Sequence, residues 1–273
     1  MLQCGKFHLD LSRTLIMGIV NVTPDSFSDG GRHLRVDAAL AHARQLIGEG
    51  ADILDIGGES SRPGALPVSV QEELDRVMPV IEGWRGASVA LSIDTCKPEV
   101  MRAALAAGAA MVNDIEALQQ PGALEAISAS AAAVCLMHKQ GVPQTMQAEP
   151  QYGNVVQEVK EFLRERIVAA EAAGIAKERI TIDPGFGFGK TLGHNLELLR
   201  GLGEFAGLGV PLLAGLSRKR MLGELTGQGV ERRVHASVAA ALIAVQRGAS
   251  IVRVHDVRAT VDALAIWNAV NGE

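Results

Sequence analysis

The sequence predicts a single-domain α/β protein of the (β/α)₈ TIM-barrel class, and three observations support this. Short apolar segments alternate with amphipathic segments along almost all of the 273 residues, the apolar segments number eight, and no linker divides the chain. About 250 residues are typical of one such barrel. The predicted strands are Thr14–Val20, Ile53–Ile56, Val89–Ile93, Ala110–Val112, Val134–Met137, Ile180–Ile182, Leu212–Ala214 and Ile251–Val254. Continuous apolar runs of this kind are typical of parallel strands covered on both faces.

The segments between the strands have the spacing of helices. Three apolar stripes carry this prediction, and they are Val36, Leu40, Ala43 and Ile47; Val155, Val159, Phe162, Ile167 and Ala170; and Val234, Val238, Leu242 and Val245. Glycines at 50, 108 and 248 precede the next strand, which is where a left-handed residue ends a helix. Pro79 lies inside the second helical segment, and we expect it to kink that helix.

Eight strands that alternate with helices are also compatible with an open, doubly wound sheet. The barrel is favoured because the strands number eight and no Gly-x-Gly-x-x-Gly turn follows the first strand. We therefore expect one domain over residues 1–273, with a core from about 14 to 267.

Composition excludes several classes of function. The net charge of −5 gives no basic field, so nucleic acid is not an expected partner. Cys4, Cys96 and Cys135 match neither a disulfide framework nor a zinc motif, which favours a reducing compartment. No apolar run approaches the roughly 18 residues of a membrane span. These features predict a cytoplasmic protein without membrane contact.

Polar residues follow nearly every predicted strand, at the end of a barrel where active sites form. They are Asn21, Glu59 with Ser61 and Arg62, Asp94, Asn113, His138, Asp183, Ser217 with Lys219, and Arg253 with His255. The ends of strands are also where solvent begins, and this explains any one of these residues but explains the whole ring poorly. The ring predicts a site for a small anionic, phosphorylated substrate.

Individual residues of this ring have specific chemical properties. Asp94 and Asp183 follow apolar strands, and a partly buried carboxylate needs donors such as the adjacent N–H groups of a heterocycle. Asn113 offers both a donor and an acceptor to a ring edge. Both aspartates are also candidates for helix N-caps, and Asn113 is a candidate turn residue.

The cationic residues of the ring indicate an anion. Arg253 and His255 are two residues apart on one strand, so their side chains point to the same face, towards the mouth. Lys219 adds positive charge there. The alternatives are a structural ion pair for Arg253 and an exposed helix-start position for Lys219.

Three glycine-containing segments separate strands from helices. NVTPDSFSDGG (21–31) carries Phe27, GGESSRPG (57–64) carries Ser61, Arg62 and Pro63, and DPGFGFGK (183–190) carries Phe188. The first two have the composition of loops that close over a substrate. Taken in order with SIDT (92–95), SRKR (217–220) and RVHDV (253–257), these motifs resemble those of dihydropteroate synthases, the targets of sulfonamides. The resemblance extends from about Thr14 to Trp267.

The resemblance implies an activity and a set of site residues. Similar enzymes condense 6-hydroxymethyl-7,8-dihydropterin pyrophosphate with p-aminobenzoate and release pyrophosphate. By analogy, the residues that bind the pterin are Asp94, Asn113, Asp183, Lys219 and Arg253. The pyrophosphate residues are Asn21, Ser61, Arg62, Arg253 and His255, with Mg²⁺ shared between Asn21 and the phosphates. The p-aminobenzoate residues are Phe27, Ser61, Pro63, Phe188 and Lys219. Asp94, Lys219 and Arg253 are the implied catalytic residues.

The resemblance also implies sulfonamide inhibition and a homodimer formed through late helices. Trp267 and the apolar last helix suit a dimer, although burial against the barrel explains them equally well. Two residues depart from the usual motifs: Ser61 replaces threonine but keeps the hydroxyl, and Arg220 replaces a serine. Two alternative functions are a non-catalytic pterin-binding paralogue and a corrinoid-dependent methyltetrahydrofolate methyltransferase.

An arylamine is a weak nucleophile, so the mechanism needs a strongly electrophilic methylene carbon. Arg62, Arg253, His255 and Mg²⁺ would neutralise the departing pyrophosphate. The electron-rich dihydropterin favours a dissociative, SN1-like step, in which Asp94 and Asp183 offset the cationic charge.

Overall fold

The computed structural model describes residues 1–22, 32–60, 64–84, 88–141, 145–146 and 148–271, with the backbone alone at 32–35. Eight of its strands are β3 (Leu15–Asn21), β4 (Ile53–Gly57), β5 (Ala90–Asp94), β6 (Met111–Asp114), β7 (Ala133–Met137), β8 (Ile180–Asp183), β9 (Leu213–Ala214) and β10 (Ile251–Val254). They pair in parallel in the order β8-β7-β6-β5-β4-β3-β10-β9. A parallel bridge between Ile182 and Leu212 joins the two ends of this order. The sheet is therefore a closed barrel, as predicted.

Helices follow the strands along the chain and cover the outside of the barrel. They are α1 (Arg32–Glu49), α2 (Val70–Gly83), α3 (Pro98–Ala107), α4 (Ala123–Ser128), α5 (Val155–Ala172), α6 (Leu192–Arg200), α7 (Arg220–Thr226), α8 (Val234–Gln246) and α9 (Val257–Asn271). Short 3₁₀ segments lie at Lys177–Arg179, Leu202–Leu208 and Val230–Arg232. Within the described residues, the helices lack the combination of length and apolarity needed to cross a membrane.

A short hairpin that the sequence analysis did not predict precedes the barrel. Strand β1 (Leu2–Cys4) pairs antiparallel with β2 (Phe7–Leu9). Leu2 and Cys4 are fully buried and belong to the same apolar cluster as Met17 and Ile53. Each strand has only three residues, too few for a clear pattern. The hairpin therefore adds apolar cover to the barrel interior.

The inner face of the barrel has an apolar layer followed by a polar one. Ile53, Met111 and Ile251 belong to the inner apolar cluster. Side chains alternate along a strand, so the residues two positions later also point inward. Those residues are Asp55, Asn113 and Arg253. The site therefore lies at the carboxyl ends of the strands, above an apolar base.

The helix predictions had mixed outcomes. Gly50, Gly108 and Gly248 all have positive φ angles, of 110°, 115° and 97°, which confirms their role as left-handed stops. Helix α2 continues through Pro79 to Gly83. The stripe predicted for α8 is only half buried, because Ser237, Ala240, Ala241 and Ala244 form its buried face. Leu242 and Val245 of the predicted stripe still pack against the core as half-buried side chains beside these small residues.

Candidate active site

The barrel mouth brings together most of the polar residues that the sequence analysis selected. Asn21, Asp94 and Asp183 are the last residues of their strands, and Asn113 and Arg253 lie within β6 and β10. Lys219 directly precedes α7, and His255 directly follows β10. Parallel strands end at one edge of the barrel, which explains why residues distant in sequence meet here.

Arg253 is the centre of a partly buried ionic network. Its Nε donates to Asp55 Oδ2 at 2.5 Å, and its Nη2 donates to Asp94 Oδ2 at 2.7 Å. Asn113 Nδ2 also donates to Asp55 Oδ2, at 3.0 Å. The ion-pair alternative for Arg253 therefore holds. Among the described residues, Arg253 Nη1 has no hydrogen-bond partner, so its N–H groups can still bind an anion.

Burial and charge act in opposite directions on this network. Burial raises the pKa of Asp94 above its ordinary value, and the positive charge of Arg253 opposes that shift. Burial alone would lower the pKa of Arg253, but the carboxylates of Asp55 and Asp94 outweigh it and raise the pKa. Arg253 therefore remains a cation at the floor of the mouth.

Asp55 was not among the predicted site residues, although it is fully buried. The signal that would have found it is a charged residue inside the apolar strand Ile53–Gly57, two positions after an inward-facing isoleucine. Asp55 Oδ1 and Asn113 Oδ1 are both buried without a hydrogen-bond partner among the described residues. An unsatisfied buried acceptor costs about 1–3 kcal/mol. Two such acceptors favour a ligand that carries N–H groups.

Asp183 presents a second buried carboxylate across the mouth. Its Oδ1 accepts a hydrogen bond from the Gly185 N–H at 2.7 Å. Burial raises the pKa of Asp183, and this backbone hydrogen bond and the charge of Lys219 oppose the rise. A Cβ on Gly215 would lie 3.6 Å from Asp183 Oδ2, so the glycine leaves room beside that oxygen. Neither Asp94 nor Asp183 caps a helix: Lys97 precedes α3, and Asp183 forms a local turn.

Lys219 and Phe188 form the opposite wall. Lys219 Nζ lies 4.1 Å from the centroid of the Phe188 ring, within the range of a cation–π interaction. The preceding residue, Arg218, has a positive φ of 57°. Arg218 forms two hydrogen bonds with Asp256, of 3.1 and 2.6 Å, and its N–H donates to Ser237 Oγ at 2.9 Å. These contacts hold the backbone conformation of Arg218, and this conformation sets the position of Lys219. None of these contacts was predicted from the sequence.

The predicted phosphate residues are only partly described. His255 Nδ1 lies 3.0 Å from Ser217 Oγ, and Asn21 is half buried at the end of β3. A Cβ on Gly57 would lie 3.9 Å from Asn21 Oδ1 and 3.8 Å from Asp94 Oδ2, so these two oxygens border the same space. Phe27, Ser61, Arg62 and Pro63 lie outside the described residues.

Two other residues of the predicted ring have structural partners. Glu59 Oε2 accepts from Lys97 Nζ at 2.5 Å, and its Oε1 accepts from the Val68 N–H at 3.0 Å. His138 is buried beside Lys190, with its Nδ1 3.0 Å from Lys190 Nζ. Neither side chain is part of the Arg253 network.

Comparisons with known proteins agree with this geometry. A family model described as pterin binding enzyme matches residues 17–255. The dihydropteroate synthase of Escherichia coli strain K12 is 52% identical over 262 residues, which cover 96% of this chain and 93% of the relative. The chain belongs to the dihydropteroate synthase family. This confirms the resemblance inferred from the motifs and makes the chain a transferase of folate biosynthesis.

Solved dihydropteroate synthase structures share the fold over nearly the full length. That of Xanthomonas albilineans with 4-aminobenzoic acid is 60% identical, has a TM-score of 0.92, and covers 97% of this chain and 96% of its own. That of Yersinia pestis with a sulfonamide drug is 50% identical, has a TM-score of 0.94, and covers 100% and 99%. These solved structures confirm the predicted (β/α)₈ barrel.

Proposed function

We propose that this chain condenses 6-hydroxymethyl-7,8-dihydropterin pyrophosphate with p-aminobenzoate to give 7,8-dihydropteroate and pyrophosphate. The observation that carries the proposal is the set of buried acceptors around the half-buried Arg253. Asp55 Oδ1 and Asn113 Oδ1 have no donor among the described residues, and Asp183 offers a second carboxylate. A pterin edge presents several adjacent N–H groups, which matches this set of acceptors.

The cationic side chains of the mouth suit the leaving group. The carbon–oxygen bond between the pterin methylene group and the pyrophosphate breaks, and the electron pair leaves with the pyrophosphate. Arg253 has one N–H arm available for the phosphate, and His255 lies on the same strand end. Arg62 and Ser61 remain predicted phosphate ligands. Neutralising the negative charge that develops on the pyrophosphate lowers the activation barrier for breaking the carbon–oxygen bond.

The carboxylates suit the electron-deficient group that remains. The dihydropterin ring delocalises positive charge from the methylene carbon, and Asp94 and Asp183 offset that charge from the ring edges. The arylamine nitrogen then forms the new carbon–nitrogen bond and gives up a proton to the released pyrophosphate or to solvent. Phe188 and Lys219 form the wall against which we expect the aryl ring to lie, together with Phe27, Ser61 and Pro63. No covalent enzyme intermediate is required.

The side-chain oxygen of Asn21 suits a magnesium ion. Asn21 Oδ1 lies beside Gly57 at the end of β3, and hard oxygen ligands from one or two side chains plus substrate phosphates are the usual Mg²⁺ environment. We propose that Asn21 holds the ion beside the pyrophosphate. When bound, Mg²⁺ would supply positive charge to the leaving phosphates.

Product formation is the direct test of this function. Purified protein, the pterin pyrophosphate, p-aminobenzoate and Mg²⁺ should give 7,8-dihydropteroate and pyrophosphate in equal amounts, measured by chromatography and a phosphate assay. Omitting p-aminobenzoate should abolish the pteroate. A chain that binds the pterin but forms no product would be the non-catalytic paralogue. Methyl transfer from methyltetrahydrofolate to a corrinoid would identify the other alternative.

Inhibition follows from the same wall. We propose that sulfonamides, which mimic p-aminobenzoate, compete with it at Phe188 and Lys219.

We also propose that the enzyme is cytoplasmic. The free cysteines Cys4, Cys96 and Cys135 are consistent with a cytoplasmic enzyme.

We also propose a homodimer formed through the last two helices. Apolar side chains there are exposed, with Ile243 at 40%, Ile266 at 70% and Val270 at 79%. Ile266 and Val270 are four residues apart on α9 and therefore lie on one face of that helix. Exposed apolar patches mark interaction sites. Light scattering should give twice the 28.7 kDa chain mass, and Ile266→Asp should shift it towards the monomer. A monomeric wild type would contradict the dimer.

A further inference from the structure

A buried lysine lies directly beneath the turn that carries Phe188. Lys190 is 3% exposed. Its Nζ donates to the carbonyl oxygens of Gly185 at 2.9 Å and Phe188 at 3.1 Å, and it lies 3.0 Å from His138 Nδ1. The lysine thus binds the backbone of its own turn and also a residue that follows β7.

The turn itself packs backbone to backbone against the segment after β7. Gly185, Gly187 and Gly189 have positive φ angles of 71°, 80° and 62°. A Cβ on Gly185 would lie 1.8 Å from the carbonyl oxygen of His138, and one on Gly189 would lie 2.2 Å from that of Gln140. Only glycine fits these positions, and the side chains that hydrogen-bond the turn keep its backbone against the segment after β7.

A buried ammonium group is expensive, and its presence here needs a reason. Burial lowers the pKa of Lys190 to about 7, against the opposing effect of the Asp183 carboxylate. Among the described residues, no carboxylate forms a hydrogen bond with Nζ. An apolar side chain of equal length would avoid the desolvation cost but would leave the turn carbonyls without this donor. Burying Lys190 therefore costs desolvation free energy, but its hydrogen bonds fix the backbone geometry of the turn.

We propose that Lys190 is a positioning residue that holds Phe188 in place as a wall of the arylamine site. Phe188 is 9% exposed and packs with Met137 and Met146, while Lys219 lies over its ring. The Phe188 carbonyl is one of the atoms that Lys190 binds, so the clamp acts at the residue whose ring it orients. This inference rests on the proposed function, which assigns Phe188 to p-aminobenzoate.

Other side chains hold the same turn more weakly, which provides a graded comparison. Tyr152 Oη donates to the Gly189 carbonyl oxygen at 2.9 Å. Asn195 Oδ1 accepts from the Gly187 N–H at 2.7 Å. The Tyr152 hydroxyl donates one hydrogen bond to the turn, whereas Lys190 Nζ donates to two of its carbonyl oxygens and also lies 3.0 Å from His138 Nδ1. Losing the tyrosine hydroxyl should therefore loosen the turn less than losing the lysine.

The test is steady-state kinetics of Lys190→Met with each substrate varied in turn. The KM for p-aminobenzoate should rise about tenfold, because the variant loses the hydrogen bonds from Nζ to two carbonyl oxygens of the turn. The KM for the pterin pyrophosphate should change by less than about threefold. Lys177→Met, which alters an exposed lysine, should leave both constants unchanged. An equal rise in both KM values would mean that Lys190 acts through Asp183, and it would overturn the proposal, as would no change.

Tyr152→Phe keeps the proposal testable if Lys190→Met does not fold. It should raise the KM for p-aminobenzoate by about threefold, the effect of one modest neutral hydrogen bond, and leave the pterin constant unchanged. A readout independent of turnover is hydrogen exchange of the 183–190 segment, which should accelerate in Tyr152→Phe and more so in Lys190→Met. Failure of the wild type to make pteroate would refute the proposed function, whereas unchanged exchange in both variants would refute the clamp.

Discussion

The two walls of the mouth are positioned by different means. One wall consists of the carboxylates of Asp55 and Asp94 and the amide of Asn113, and we call it the carboxylate wall. Its residues lie on β4, β5 and β6, whose backbones are fixed by the hydrogen bonds of the parallel sheet. The aromatic wall, Phe188, lies on a turn without ladder hydrogen bonds, and buried side chains such as Lys190 and Asn195 hold it. A strand site tolerates a change in one side chain, because its backbone does not depend on that side chain. A turn site depends on every donor and every glycine.

The largest effect that this comparison predicts is that of Gly185→Ala. The new Cβ would meet the His138 carbonyl oxygen, and φ is 71°. We expect the free energy of unfolding to fall by about 3 kcal/mol or more, and pteroate formation to be lost. Gly193→Ala is the matched control, because its Cβ would lie no closer than 3.7 Å to Thr191 Oγ1. That change should be neutral or stabilising by up to about 1 kcal/mol. Equal unfolding midpoints in urea would contradict the close approach.

Phosphate recognition should respond separately from pterin recognition. Arg62→Ala and His255→Ala each remove a cationic or hydrogen-bonding group predicted to contact the pyrophosphate. Affinity for Mg²⁺-pyrophosphate should fall by about 10- to 100-fold, since a hydrogen bond to a charged group contributes about 1.5–3 kcal/mol. Affinity for a phosphate-free pterin should change little. Calorimetry with both ligands checks this, and parallel losses would indicate general damage to the mouth.

The predicted effect that is smallest per step of the measurement is a pH dependence of stability, because it amounts to at most about 1.4 kcal/mol for each pH unit. Burial lowers the pKa of Lys190 to about 7 from 10.5. The charged neighbour Asp183 raises it, Lys219 lowers it, and His138 is neutral because burial lowers its pKa to about 3. Between pH 7 and 10.5 the unfolded chain binds more protons at this lysine, so its contribution to stability grows with rising pH.

Urea unfolding at several pH values measures how much Lys190 contributes to the free energy of unfolding. Relative to Lys190→Met, the wild type should gain up to about 1.4 kcal/mol per pH unit above pH 7. The difference between the two proteins removes the contributions of other titrating groups. A difference that stays constant across this range would mean that Lys190 is not desolvated as described.

Much of the fold was predictable because strands buried on both faces read as uninterrupted apolar runs. Each barrel strand, from β3 at Leu15–Asn21 to β10 at Ile251–Val254, lies within two residues of its predicted bounds. The β1–β2 hairpin was missed because three-residue strands leave no period. The buried face of α8 was missed because alanine and serine are weak signals of burial, although close packing favours them.

The site was predictable where residues end strands, and less so where contacts join distant segments. Asp94, Asn113 and Asp183 were selected because they come directly after apolar runs, and Arg253 because it shares a strand face with His255. Asp55 lies inside such a run, and only the two-residue alternation of inward side chains separates it from an ordinary strand residue. The role of Lys190 depends on a turn that folds back over its own lysine, and sequence spacing does not reveal that.

The measurement that tests the two-wall account most directly is a crossed binding experiment. Asn113→Ala and Lys190→Met are each titrated with a phosphate-free pterin and, in the presence of Mg²⁺-pyrophosphate, with a sulfonamide. Asn113→Ala should weaken pterin binding by up to about tenfold, because the buried acceptor Oδ1 is lost while β6 keeps its backbone, and should leave sulfonamide binding nearly intact. Lys190→Met should show the reverse pattern, with about a tenfold loss for the sulfonamide alone. If both variants lose both ligands to the same extent, the walls are not positioned independently, and the account is wrong.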